Sequence, residues 1–422
     1  MSEPLVIIGN GMAAAKLVEH LSTRALGRYA IAVIGEEPQL AYNRVLLSSV
    51  LASDVAQHDV ELKSKAWWRD RGVTVLYGHA ATSVDHAIRR VKLASGATIP
   101  YAKLVFATGS RPIVLPIPGR DLAGVMTFRD MRDVEALKQA GARACNAVVI
   151  GGGLLGLEAA YGVAKAGARV TVIHLMDRLM ERQLDAEAAG MLKAEVEAKG
   201  IDVLLKAETA QFVGDGHVTR VDLKDGRSIS ADIVVTAAGI TPNVALARTS
   251  GVSINRGIVV DARMQTDIAG IYAIGECAEN DGRCVGLVEP AYEQAAVLAD
   301  NLSGGNATYA GSIPATNLKV TGVNVFSAGD FVGAPGTEHI YLRDRGLGLY
   351  KKLVIANDRL IGAVLFGDTA DGLWYLDLIR SGVSTDSFRN ELAFGRAFAE
   401  RKFDKSNLGK INLGKFNRDM AA

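Results

Sequence analysis

Two glycine fingerprints set 142 residues apart, at Gly9 and Gly151, constrain this chain more than any other feature. Gly9-Asn10-Gly11-Met12-Ala13-Ala14 follows the apolar run Leu5 to Ile8, and Gly151-Gly152-Gly153-Leu154-Leu155-Gly156 follows Val148 to Ile150. Each then enters a helix-like stretch. A strand, a glycine turn and a helix in that order let the backbone approach a pyrophosphate, which rests on the positive helix N-terminus. One such turn also arises for purely structural reasons. Two in the same context imply two dinucleotides on one chain.

The 422 residues call for two or three domains rather than one small core. Net charge is +1, which favours neither nucleic acid nor an anionic membrane as a partner. The longest nearly apolar stretch, Ala147 to Ala164, contains Glu158 and is broken by the second fingerprint, so a buried strand and helix suit it better than a membrane span. The first strand pattern starts at once, leaving no room for a signal peptide, and a cytoplasmic protein is expected. Cys145, Cys277 and Cys284 form neither a disulfide framework nor a paired metal motif.

Along the chain, strand and helix patterns alternate as a doubly wound sheet requires. Glu36, closing the strand Ile31 to Ile34, suits the acid that binds the ribose hydroxyls of an adenine dinucleotide, or a solvated loop acid before Pro38. Leu104-Val105-Phe106-Ala107-Thr108-Gly109 reads as a buried strand ending in a glycine turn, and Val234-Val235-Thr236-Ala237-Ala238-Gly239 repeats it. Each is followed by a proline, Pro112 and Pro242, with the second fingerprint lying between. One nucleotide domain is therefore expected to be inserted in another, with crossovers near residues 112 and 240. Beyond about residue 312 the pattern changes. Leu349 to Ile355 and Leu360 to Phe366 read as strands joined by an Asn357-Asp358 turn, with helices around Leu373 to Arg380 and Ser387 to Phe398. The segment from Arg401 mixes Lys, Arg, Asn and Gly and is expected to be loosely ordered.

In sum the chain resembles the two-dinucleotide flavoprotein reductases of the pyridine nucleotide-disulfide oxidoreductase superfamily. The nearest resemblance is to the FAD-containing N-terminal part of the NAD(P)H nitrite reductase large subunit, with the rubredoxin and ferredoxin reductases close behind. It rests on Ile8-Gly9-Asn10-Gly11-Met12, Glu36-Glu37-Pro38, Tyr42-Asn43-Arg44-Val45-Leu46-Leu47-Ser48-Ser49 and Ala107-Thr108-Gly109-Ser110-Arg111-Pro112. Further matches are Val149 to Glu158, Ile271-Tyr272-Ala273-Ile274-Gly275-Glu276-Cys277-Ala278 and Leu318-Lys319-Val320-Thr321-Gly322. The resemblance implies an α/β fold. Two nested Rossmann-like dinucleotide-binding domains, glutathione-reductase-like, are joined by a smaller C-terminal α+β domain. Residues 1–112 and 240–312 would bind FAD, residues 113–239 NAD(P)H, and residues 313–422 would face the electron acceptor.

By the same resemblance Gly9, Gly11, Met12, Ala13, Glu36, Arg44, Ser49, Ala107, Thr108, Gly109, Arg111 and Gly275 would surround FAD, and Gly239 at the second crossover would also bind cofactor. Gly151, Gly153, Leu154, Leu155, Gly156, His174 and Arg178 would bind the nicotinamide coenzyme. Glu276 would hold the ribityl hydroxyls, a helix-capping acid being the alternative. The helix carrying Glu289 and Tyr292 would aim its positive end at the flavin, with Pro290 in its first turn. Many ferredoxin reductases carry a lysine where this chain has Ser49, which puts an ion pair from that position to Glu158 in doubt. Lys319 is the other candidate cation near the isoalloxazine, or a solvated lysine at a strand end; Glu158 and Lys319 are the candidate catalytic residues.

The implied activity is NAD(P)H oxidation through FAD, feeding a separate small redox protein or a haem or sirohaem protein, in a setting such as nitrite or nitrate assimilation. No partner among nucleic acids or membranes is expected, and the chain would be a monomer or homodimer. Disulfide reductases of similar architecture need a thiol early in the chain, but Arg44 to Leu51 has none. Cys277 therefore reads as buried filler. An oxidase using oxygen and a binding or regulatory flavoprotein are the alternatives. His174 ends the strand Val170 to Ile173, where NAD-selective sites have an acid, and Arg178 follows four residues on. That pattern leans towards NADPH. Lys351 and Lys352, with Lys402, Lys405, Lys410 and Lys415 in the tail, would offer a basic patch for an acidic carrier, or simply scattered solvated charges.

Overall fold

The strand Glu3–Ile8 is buried over its last four residues, as an apolar run needs when a parallel sheet is covered on both faces. The structure, a computed structural model, describes residues 2–143, 146–320 and 322–400, with Leu318, Lys319 and Val320 described by backbone alone. Contacts gather the chain into two units. One comprises Met1–Pro116, Val125–Arg143 and Val235–Ser312, and the other Ile117–Gly124, Ala144–Val234 and Ile313–Ala422.

In the first unit Glu3–Ile8 is central in a five-stranded sheet, in the order Ile271–Ala273, Lys103–Phe106, Glu3–Ile8, Tyr29–Gly35 and Thr74–Tyr77. All four pairings are parallel. Helices Met12–Arg24 and Val288–Leu302 bury Leu17, Leu21 and Leu298 against it, beside Phe106. Each such side chain contributes roughly 1.5–3 kcal/mol when removed from water. The expected crossovers meet: Ser110–Pro112 pairs antiparallel with Ile240–Pro242, Arg111 opposite Thr241.

In the second unit Asn146–Ile150 pairs parallel with Arg169–Ile173, which pairs parallel with Ile201–Leu204. The helix Leu154–Lys165 follows the first of these strands. The apolar stretch from Ala147 is thus a strand and a helix. Among the described residues no helix is long and apolar enough to cross a membrane.

The second unit also holds an antiparallel five-stranded sheet, in the order Ala315–Val320, Val323–Gly329, Arg359–Phe366, Leu349–Ala356 and Glu338–Asp344. Asn357 and Asp358, both at positive φ, make the tight turn that Asn and Asp tolerate. The helix Gly372–Ser381 covers the sheet.

Two expectations are corrected here. The second helix, expected over Ser387 to Phe398, is a 3-10 segment, Asp386–Phe394, followed by the short helix Arg396–Ala399. Phe388 leaves helical geometry (φ −135°, ψ 21°) and buries its ring completely, which breaks the run. Lys351 and Lys352 are not a surface patch, for both are buried. Lys351 Nζ donates to the Tyr375 hydroxyl at 3.2 Å, and burial holds its ammonium below the usual lysine range. Lys352 lies 3.9 Å from Asp185, which also accepts from Tyr350 at 2.5 Å. Cys145 and the tail lysines Lys402, Lys405, Lys410 and Lys415 lie outside the described residues.

Candidate functional site

At the first fingerprint Gly9 stands at φ +116°, and a Cβ there would lie 2.0 Å from the carbonyl oxygen of Ala107. Only glycine lets the turn lie so close to the neighbouring strand end. Gly11, by contrast, caps the helix Met12–Arg24 with nothing within 4 Å of where its Cβ would be. It offers no side-chain cap, and no acid occupies the first turn. A helix start without either leaves backbone N–H groups and a positive end for an outside anion. Asn10 packs on Gly35, at the end of the next strand, and its Oδ1 is buried without a hydrogen-bond partner. Met12 and Ala13 open the helix. Glu36 is exposed directly after the strand Tyr29–Gly35.

Charged groups gather beside that turn. Glu276 lies in the turn Gly275–Cys277, where it pairs with Arg129 and accepts from Ser110 Oγ at 2.8 Å. Arg129 also donates to Ser110 Oγ at 2.8 Å, while its buried Nε has no partner. Arg44 pairs with Glu37 and donates to the Arg129 carbonyl at 3.1 Å. Ser49 lies in the helix Leu47–Leu51. Ala107, Thr108 and Gly109 follow the strand Lys103–Phe106. Thr108 Oγ1 donates to the Asn243 carbonyl at 2.6 Å, and Gly239 accepts from Ile113 N–H at 3.0 Å. Arg111, in the crossover pair, is exposed.

Glu289, Pro290 and Tyr292 sit in the first turns of Val288–Leu302, and Gln294 of that helix accepts the Gly275 N–H at 2.7 Å. Burial, then Glu19, pushes the Tyr292 hydroxyl up to about 12. Sequence reasoning passed over Arg129 and Glu37. The signal available for Arg129 was its place one residue before Asp130, whose side chain caps the helix Met131–Gly141. Cys277 is fully buried, its Sγ 3.3 Å from the Ile274 carbonyl, and burial pushes its thiol up. That is the opposite of a reactive thiol's setting.

The second fingerprint repeats the logic. Gly151 stands at φ +124°, and Gly153 caps Leu154–Lys165 with no side-chain bond and no acid in the first turn. Leu154 and Leu155 open that helix, and Gly156 and Glu158 are buried within it. His174 follows Arg169–Ile173 but turns inward. It is 8% exposed, its Nδ1 accepts the Gly152 N–H at 3.0 Å, and its Nε2 lies 3.1 Å from Glu181. Both nitrogens of the imidazole at the strand end are thus engaged. Arg178 pairs with Asp177 at 3.0 Å, and its Nε is buried without a partner. Lys319 lies in the strand Ala315–Val320 opposite Asn324; its side chain is outside the described residues.

Among the described residues no cluster of three or more His, Cys, Asp or Glu could hold a metal. The residues do fit two dinucleotides. Each glycine turn comes up against its neighbouring strand or the residues that follow it, each helix start lacks a cap, and unpartnered polar atoms (Asn10 Oδ1, Arg129 Nε, Arg178 Nε) lie on or beside them.

Comparison with known proteins agrees with that geometry. The pyridine nucleotide-disulphide oxidoreductase family model matches residues 3–296, and the rubredoxin NAD+ reductase C-terminal domain matches residues 314–383. The nitrite reductase [NAD(P)H] of Bacillus subtilis (strain 168) is 45% identical over 369 residues, covering 87% of this chain and 46% of that protein. The assimilatory nitrate reductase electron transfer subunit of the same organism is 42% identical, covering 88% of this chain and 48% of that protein. The chain thus spans about half the length of these curated relatives. A ferredoxin reductase structure from Rhodopseudomonas palustris superposes with a TM-score of 0.83 at 26% identity, covering 93% of this chain and all of that one. This chain belongs to the pyridine nucleotide-disulphide oxidoreductase family.

Proposed function

From that membership we propose that the chain is an FAD-dependent NAD(P)H oxidoreductase, passing electrons to a separate small redox protein or a haem or sirohaem protein. Its relatives' names suggest nitrite or nitrate assimilation as the setting. The observation that carries the reading is the pair of uncapped glycine turns, each opening a helix with no acid in its first turn. The first holds FAD and the second the nicotinamide coenzyme. The proposed division is residues 1–112 and 240–312 for FAD, 113–239 for NAD(P)H and 313–422 for the acceptor.

Bound FAD supplies hydride acceptance from NAD(P)H and onward release of single electrons. The chain's own residues position and tune it. Gly9, Gly11, Met12 and Ala13 bring backbone N–H groups to its pyrophosphate, and Glu36 takes the adenosine ribose hydroxyls. Glu276 accepts from the ribityl chain, held by Ser110 and Arg129. The start of Val288–Leu302, with Glu289 and Tyr292, brings a positive helix end to the reduced flavin. Arg44, Ser49, Ala107, Thr108, Gly109, Arg111 and Gly275 line the remainder, and Gly239 at the second crossover also binds cofactor. Gly151, Gly153, Leu154, Leu155, Gly156 and Arg178 hold the coenzyme, and Glu158 and Lys319 are the proposed catalytic residues. Buried Cys277 takes no part.

Anaerobic stopped-flow mixing of the FAD-loaded protein with NADH or NADPH tests the reading. Rapid bleaching of the flavin absorbance is expected, followed by recovery when an oxidised one-electron carrier is added. Flavin that neither coenzyme bleaches would leave the protein a binding or regulatory flavoprotein instead.

A further inference from the structure

In a strand–glycine turn–helix unit, the end of the next strand lies beside the adenosine ribose, and NAD sites put a carboxylate there. Here that place belongs to His174, at the end of Arg169–Ile173. Its ring is committed on both sides. Nδ1 accepts the Gly152 N–H at 3.0 Å, so it carries no proton and the ring proton sits on Nε2. Nε2 faces Glu181 Oε2 at 3.1 Å and therefore donates to it. His174 is a neutral strut between the glycine turn and a carboxylate.

The chain from His174 to Glu181 is tied to the same turn a second time. Met180 N–H donates to the Gly152 carbonyl at 2.9 Å, with Met180 held at φ +49°, a conformation a side chain adopts only under constraint. A Cβ on Gly152 would come within 2.6 Å of Leu179 and 2.7 Å of His174, so the bracket is closely packed. Glu181 follows Met180 directly, and its side chain is 24% exposed. One hydrogen bond leaves an ionised carboxylate with acceptor capacity to spare. Leu175 and Met176, 61% and 44% exposed, follow His174 and offer an apolar surface of the kind an adenine ring covers. The cation that would recruit a 2′-phosphate, Arg178, is already paired with Asp177.

We propose that Glu181, oriented by His174, accepts the adenosine ribose hydroxyls, so that the chain selects NADH and rejects a coenzyme carrying a 2′-phosphate. The proposal rests on the second fingerprint being the nicotinamide-coenzyme site, and it reverses the leaning towards NADPH drawn from the sequence. His174 is a positioning residue; Glu181 is the residue that reads the ligand. Removing its charge leaves an acceptor for His174 but withdraws the repulsion of a phosphate, so Glu181→Gln separates selection from support.

The test measures binding of ADP-ribose and of its 2′-phosphorylated form to the FAD-loaded protein by calorimetry. The parent is expected to favour ADP-ribose by at least about tenfold, near 1.4 kcal/mol. Glu181→Gln should abolish that bias chiefly by gaining affinity for the phosphorylated form, a change that lost structure would not produce. His174→Asn keeps an acceptor for Gly152 and should weaken ADP-ribose binding while retaining part of the bias. A bias unchanged in Glu181→Gln overturns the proposal. So does a parent that favours the phosphorylated form and loses it in Arg178→Ala. Binding of neither fragment overturns the coenzyme site itself and the proposal with it. The measurement needs no hydride transfer, so a flavin that NADH fails to bleach counts against the proposed function alone.

Discussion

Two glycines of one turn do different work, and substitution separates them. At Gly9 a methyl group meets the Ala107 carbonyl at 2.0 Å and the backbone is at φ +116°. Gly9→Ala therefore strains the first unit whether or not FAD is present, and a loss of at least about 3 kcal/mol is expected from the combined clash and left-handed backbone. Gly11 has open space around it and an extended conformation at φ −107° that any residue adopts. Gly11→Ala should cost the apoprotein about 1 kcal/mol or less. The methyl instead occupies the room through which a pyrophosphate approaches, so FAD affinity should drop steeply. Thermal melts of apoprotein together with flavin content after dialysis distinguish the two; equal behaviour of both variants would remove the phosphate role from Gly11. Cys277 makes a prediction of the opposite kind. Its thiol is fully buried and pushed up by that burial. Cys277→Ala, and alkylation of the native protein, should leave NAD(P)H-driven dye reduction within about twofold. Abolished turnover in either would point to thiol chemistry.

At the scale of elements, the helix Met131–Gly141 shows how a cap reaches the site. Asp130 accepts from the N–H groups of Arg132 and Asp133, and the Asp133 side chain returns the bond. The residue before this cap is Arg129, which pairs with Glu276. Burial alone would raise the Asp130 carboxyl, but the Arg132 guanidinium and the backbone N–H groups outweigh it and hold it below its ordinary value. A carboxyl depressed by folding contributes stability that is complete above its unfolded value and lost as pH falls through the folded one. Asp130→Ala should therefore cost about 1 kcal/mol near neutrality. Its difference from the parent should shrink below about pH 4. Denaturant melts at several pH values check the sign, and a difference that widens in acid would refute it. The same element shows what a sequence can disclose. Strands such as Glu3–Ile8 and the glycine turns were legible because unbroken apolar runs and forced backbone angles are local properties. Arg129 was not, since its meaning depends on Glu276, far away in the chain. The partners of the His174 ring were hidden for the same reason, because Gly152 belongs to another strand end. Lys351 and Lys352 alternate across a strand, and nothing local tells that Tyr375 and Asp185 await them.

For the whole molecule, the contact grouping sets the first fingerprint in one unit and the second in the other, although the second lies inside the sequence interval of the first. An insertion of this kind works only if the outer unit closes around the two chain crossings. The antiparallel pairing of Ser110–Pro112 with Ile240–Pro242 does that, since strand residues on either side of the insertion share one ladder. The arrangement implies that each dinucleotide stabilises a different set of amides. A ligand at a hundred times its Kd suppresses openings that release it by about 2.7 kcal/mol, about a hundredfold in exchange rate. Hydrogen exchange of the apoprotein with FAD should therefore slow amides around Gly9 to Ala15, Ala107 to Arg111 and Gly275 to Cys277. ADP-ribose added to the FAD-loaded protein should slow a separate set, Gly151 to Leu157 together with His174 to Glu181. The second set includes the Gly152 N–H, which His174 already holds, so its protection should start higher and fall in His174→Ala before any ligand is added. Protection by FAD alone at the second set, or by ADP-ribose at the first, would exchange the two assignments.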